Sequence, residues 1–202
     1  MKTLGSVTEA EMIAIFLEAE IDSTRYNKSI TQAVAKLGAT EDIIRNPDLT
    51  SDADNETRKR LLTLHRHYEE RTELFEGFPD NVQWVRVELS KEELLDVRYM
   101  EYSFWNELTG GTRKIQDALQ RIRDNKMPYD GSNEKYLSAA EALRGGKVFP
   151  EIVLVGEKED GPYVALEGHL RLSTYGLMPD HIPQPFTAIV GVSPHMMQWS
   201  GW

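Results

Sequence analysis

The stretch from Phe149 to Leu177 constrains this chain more than any other. Ile152, Val153, Leu154 and Val155 form a short apolar run, the pattern of a buried strand. Lys158-Glu159-Asp160-Gly161-Pro162 is turn chemistry, because Gly and Pro supply the φ values a reversal needs. Tyr163 to Leu166 reads as a second strand, and Glu167-Gly168-His169-Leu170-Arg171 follows abruptly. A glycine between strand and helix lets the backbone turn sharply and approach a ligand closely. The first turn of the helix after it carries unpaired N–H groups and the positive end of the dipole, which favour an anion. Helical side chains lean toward the N-terminus, so Arg171 would reach back over the same spot, and His169 would add a donor. These five residues hold the parts of a phosphate cradle. They also admit a plainer reading, in which Gly168 is only a turn and Arg171 only a solvated charge.

The box Glu167-Gly168-His169-Leu170-Arg171-Leu172-Ser173-Thr174-Tyr175 resembles the Asp/Glu-Gly-x-x-Arg box of the ParB/sulfiredoxin-like superfamily. Tyr136 to Val155 is similar to that family's helix, Gly turn and strand, and Val82 to Leu89 to its first strand. The resemblance implies an α/β domain with a small mixed sheet, whose Gly168, His169 and Arg171 hold the phosphates of a nucleotide. It implies a nucleotide di- or triphosphate with Mg²⁺ as cofactor. It also implies, in one branch, transfer of a phosphoryl group to a small molecule. In that branch Glu167 would act as general base; as a bare carboxylate it could equally cap the helix start. Sulfiredoxin chemistry needs a cysteine, and the chain has none. ParB proteins carry a basic DNA-reading region after the box, whereas here the helical part precedes it. A non-catalytic regulatory or interaction module that keeps the fold is the competing expectation.

The rest of the chain divides near Gly77-Phe78-Pro79-Asp80-Asn81, giving a helical region over 1–78 and the α/β domain over 79–202. The fold class expected is therefore α+β. Thr8 with Glu11 caps a helix carrying Met12, Ile15, Phe16 and Ala19, and a second helix from Asp22 or Ser23 ends at Gly38. A long third helix is expected from Asp54 to Phe75. Its cations Arg58, Lys59, Arg60, Arg66 and Arg71 form the densest basic patch, either a solvated face or a surface for a protein partner. His65 and His67 alternate, so they do not make the i, i+4 pair a helical metal site needs, and no metal is assigned. In Gln83 to Leu89 the residues Val85, Val87 and Leu89 face inward, and Ser90 with Glu93 makes a capping box.

Tyr99, Tyr102, Phe104 and Trp105 are either core or a platform for a base. Thr109-Gly110-Gly111-Thr112-Arg113-Lys114 opens a helix from Thr112 to Arg123, so Thr112 and Arg113 form a second candidate phosphate site. The spacing is not that of a P-loop, and a plain cap is the alternative. Ser173 and Thr174 read as helix-face residues. Trp199 and Trp202 suggest a docked tail.

Lys and Arg number 23 against 33 Asp and Glu, a net charge of −10, so duplex DNA is not expected as a partner. No segment has the apolar length of a membrane span or a signal core, and the expected location is cytoplasmic.

Overall fold

The computed structural model describes residues 1–202. Five strands form one mixed sheet: β1 (Lys2–Val7), β2 (Gln83–Leu89), β3 (Ile152–Gly156), β4 (Tyr163–Glu167) and β5 (Phe186–Val192). Their spatial order is β1-β2-β5-β3-β4, with β3 and β5 parallel and every other pair antiparallel. The class is α+β, as the sequence predicts.

β3 lies second from one edge and is buried along its whole length. Side chains alternate across a strand, so Ile152 and Leu154 enter one core while Val153 and Val155 enter the other. Against the Val153 face pack α1 (Glu9–Ile21), α2 (Asn27–Lys36), α3 (Asp42–Arg45) and α4 (Asp52–Arg66). Against the Ile152 face pack α5 (Lys91–Leu95), α6 (Ser103–Thr109), α7 (Ile115–Arg123), α8 (Glu134–Arg144) and α9 (His169–Leu177). The N-terminal helices and the sheet thus share a core. No helix is long and apolar enough to cross a membrane.

Caps written in the sequence set several boundaries. Thr8 accepts from the N–H of Glu11, and Ser90 and Glu93 complete a reciprocal capping box. Other boundaries differ from the sequence reading. The second helix starts only at Asn27. The third ends at Arg66, because His67 takes a left-handed conformation at φ 59° and the chain turns there. A separate 3₁₀ turn, Glu73–Phe75, follows. α7 begins at Ile115, three residues after Thr112. β1 was not expected. It is an exposed edge strand held by backbone pairing to β2, with only Val7 buried. Trp84, on the face of β2 opposite Val87 and Leu89, is buried as well, because helices cover both faces of the sheet.

The tail docks as expected. Trp199 is buried and donates its indole N–H to the Leu74 carbonyl at 2.7 Å. Gly77 makes room for it: at φ 71°, a Cβ there would stand 2.1 Å from the Gln198 oxygen.

Candidate functional site

Gly168 sits where the sequence places it, between β4 and α9, with a left-handed φ of 101°. A Cβ at this position would lie 2.5 Å from Cγ2 of Ile152, so both backbone conformation and packing require glycine. No side chain caps α9, and the N–H groups of its first turn have no acceptor within the helix.

Arg171 is not the surface cation that the sequence predicts. Its guanidinium is folded inward, donating to the carbonyls of Pro150 (2.7 Å) and Glu151 (2.9 Å) and to the Glu167 carboxylate. The side chain keeps only 9% exposure, and burial pulls its proton affinity down to about 10. Glu167 is committed to the same pair, at 13% exposure, so neither a free base nor a free helix cap stands there. The reason is positional. The segment entering β3 has two carbonyls beside the start of α9, and an arginine fork is suited to bind both.

His169 stays beside the helix start. Its ring stacks on Trp105 at 5.2 Å and lies 6.3 Å from Tyr99, while Trp105 stacks on Tyr99 at 4.3 Å. Tyr99 is core, and its hydroxyl shares a 2.8 Å hydrogen bond with Ser173. Ser173 and Thr174 are buried and donate back to the His169 and Leu170 carbonyls, which leaves them as packing residues. His169 Nε2 is shielded from solvent and has no hydrogen-bond partner. Burial first, then the positive charges of Arg66 and Arg25, hold this imidazole down to about 3, so it is neutral at ordinary pH.

Thr112 and Arg113 lie apart from this cluster in their bonding. Thr112 Oγ1 meets the Asp117 carboxylate at 2.5 Å and accepts from Lys114 N–H. Arg113 donates to the Trp202 carbonyl oxygen at 2.6 Å and lies 3.5 Å from Glu101. The second candidate phosphate site is thus filled by the protein's own acceptors.

Most cations of the expected basic patch are engaged within the protein. Arg58 is fully buried, donating to the carbonyls of Ile43 and Asp48 and to the Asn55 side chain. Lys59 pairs with Glu9 and Glu69, and Arg71 with Asp80. Of the five cations expected from Arg58 to Arg71, Arg60 is exposed with no side-chain partner, while Arg58, Lys59 and Arg71 are engaged within the protein. Arg66 goes elsewhere: its guanidinium lies over the Tyr26 ring at 4.4 Å, with Arg25 over the same ring at 4.9 Å.

Arg66 therefore belongs with residues that sequence reasoning did not join to the site. After burial, the charges of Arg66 and Arg25 are the next causes of the low proton affinity of His169. Partial burial first, and then the charge of Arg25, lower the proton affinity of Lys135 near the start of α8. Behind Arg66, Glu20 and His65 are almost wholly buried and 2.7 Å apart, with Arg66 Nε 3.7 Å from the same Glu20 oxygen. His65 Nδ1 in turn meets the Ser29 hydroxyl at 3.1 Å. One signal for Glu20 was legible: it continues the Met12, Phe16 row at i+4 and so puts a carboxylate on an apolar helix face. His65 had a signal too, since it falls on the Leu61, Tyr68 side of its helix, but nothing local marked Arg25, Ser29 or Lys135.

No family model, curated protein or solved structure matches this chain.

Proposed function

We propose that this protein binds a phosphate-bearing small molecule at the start of α9, between the two helical layers. The observation that carries this reading is a group of three cations in a chain of net charge −10, two of which, Arg25 and Lys135, have no carboxylate partner. Arg25 and Lys135 have only aromatic rings beneath them, and Arg66 has one long contact to Glu20. Like charges within each other's field raise the energy of the empty protein, and an anion relieves it. The uncapped N–H groups of α9 and the lone pair or proton of the unpartnered His169 Nε2 add neutral polar contacts. A nucleotide is the ligand class that the resemblance of the Glu167–Arg171 box implies, with the cation set shifted from Arg171 to Arg25, Arg66 and Lys135.

Binding is favoured over phosphoryl transfer through Glu167, because that carboxylate is already paired with Arg171. The test is calorimetric titration and thermal shift with inorganic phosphate, ADP and ATP, each with and without magnesium. A bound ligand raises the melting temperature by mass action. Arg25→Ala and Lys135→Ala should each weaken binding about tenfold or more, the worth of a charge-assisted hydrogen bond. If none of these ligands binds, or if both variants bind as tightly as the native chain, the reading is wrong.

A further inference from the structure

We infer that Ser29, His65 and Glu20 form a nucleophilic relay that can carry acyl transfer from esters bearing an anionic group. The three come from α2, α4 and α1, and they are joined by two hydrogen-bond contacts. Glu20 Oε2 lies 2.7 Å from His65 Nε2, and His65 Nδ1 lies 3.1 Å from Ser29 Oγ. The two inner members are sealed: the His65 side chain is 1% exposed and that of Glu20 is 3%. Ser29, the outer member, is exposed. A buried carboxylate, an oriented imidazole and a reachable hydroxyl, in that order, are what activates a weak oxygen nucleophile.

The protonation pattern follows from which atoms can donate. A carboxylate only accepts, so in the neutral ring His65 Nε2 carries the proton and points it at Glu20. Nδ1 is then left with its lone pair facing Ser29. The Ser29 hydroxyl also lies 2.9 Å from the Tyr26 carbonyl. Its single proton serves one acceptor at a time, and rotation about Cβ–Oγ moves it to His65.

Attack proceeds by formation of a bond from Ser29 Oγ to the ester carbonyl carbon while His65 Nδ1 takes the hydroxyl proton. The carbonyl π pair moves onto oxygen. As that pair returns, the bond to the leaving alkoxide breaks and His65 returns the proton to it, leaving an acyl-Ser29. Water then repeats the sequence, with His65 again taking and returning one proton, and the products are the alcohol and the acid. Glu20 keeps its hydrogen bond to His65 Nε2 throughout and stabilises the transient imidazolium. Ser29 sits in the first turn of α2, where the N–H groups of Asn27 and Ile30 are bonded to the Ser23 and Tyr26 carbonyls but those of Lys28 and Ser29 have no backbone acceptor and are available to the oxyanion.

The anionic preference comes from two cations held over the ring that roofs this relay. Tyr26 packs edge-on to His65 at 5.8 Å, and Arg25 and Arg66 lie over it. This preference, unlike the relay itself, rests on the anion-binding reading given above.

The relay is tested by fluorophosphonate labelling followed by peptide mapping, which needs no bound phosphate. The native protein should be labelled at Ser29, and heat-unfolded protein should not. Ser29→Ala should abolish labelling without changing the melting temperature, since the residue is exposed. His65→Gln should slow labelling about a hundredfold or more, as loss of a general base does. Glu20 is a positioning residue, and its readout is the pH at which the labelling rate half-rises. Glu20→Gln should move that midpoint to lower pH as well as lowering the plateau, whereas mere loosening of the fold would lower the plateau alone. Hydrolysis of the para-nitrophenyl monoester of succinate should exceed that of para-nitrophenyl acetate, and Arg25→Ala should remove the difference. A folded native chain that takes no label, or label found elsewhere than Ser29, overturns the relay. Labelling at Ser29 without preference for the charged ester overturns only the substrate class, and so separates this inference from the anion site.

Discussion

Arg171, in the first turn of α9, reaches back to Glu167 at the end of β4, and both side chains are nearly closed off from solvent at 9% and 13% exposure. A charge pair in this position is a structural commitment. It ties the start of α9 to the end of β4, and through the Pro150 and Glu151 carbonyls to the segment that enters β3.

Arg171→Met should accordingly destabilise the free protein by about 3–5 kcal/mol, because it strands a buried carboxylate and two carbonyls. Urea unfolding at neutral pH measures this. The double variant Arg171→Met with Glu167→Gln should recover part of the loss, since no unpaired charge is left. A loss in the single variant below about 1 kcal/mol would show the pair to be dispensable.

Gly168→Ala should cost about 2–5 kcal/mol, combining a left-handed residue with a Cβ forced against Ile152. Pairing it with Ile152→Ala should relieve the contact but not the backbone cost. Non-additive unfolding energies in this cycle would identify the clash, and strictly additive ones would rule it out.

His169 gives stability a pH dependence of known sign. Its folded value is about 3 and the ordinary value 6.5. Between these pH values the unfolded chain binds a proton that the folded chain refuses, so stability falls as pH drops from about 6.5 toward 3. The limiting slope from one such group is about 1.4 kcal/mol per pH unit. His67 acts with the opposite sign: hydrogen bonding to Glu70 raises its affinity, so its contribution is present at low pH and fades as pH rises above 6.5. Denaturant midpoints at pH 7 and pH 5 should therefore differ less in His169→Phe than in the native chain. Equal differences would mean that His169 titrates normally.

Trp199→Ala should cost about 3–5 kcal/mol by opening a cavity between the tail and the Phe75–Phe78 turn, and by freeing the Leu74 carbonyl. Near-ultraviolet circular dichroism and a thermal melt would report it. A melt unchanged within a degree would mean that the tail does not contribute to the core.

Local chemistry made much of the fold readable. The apolar run Ile152–Val155 and the capping box at Ser90–Glu93 depend on neighbours within a few residues, as does the strand-to-helix break at Gly168. Periodicity and capping report such features directly. β1 escaped because an exposed edge strand is held by backbone hydrogen bonds and needs no apolar alternation.

The sequence by itself determined the α+β class, the β3–β4–α9 unit and the identity of Gly168, each through contacts within one or two elements. The tertiary structure alone decided what the charged side chains do. Whether Arg171 faces solvent or carbonyls depends on where the Pro150 segment runs beside α9. Whether Arg58 serves a partner or an internal loop depends on the position of Asp48 and Ile43. Ser29, His65 and Glu20 meet only because three helices cross on one face of the sheet. A charge or hydroxyl has a fixed chemistry in the sequence, but its partner is set by packing of distant apolar surfaces, and that packing leaves no mark at the polar residue itself.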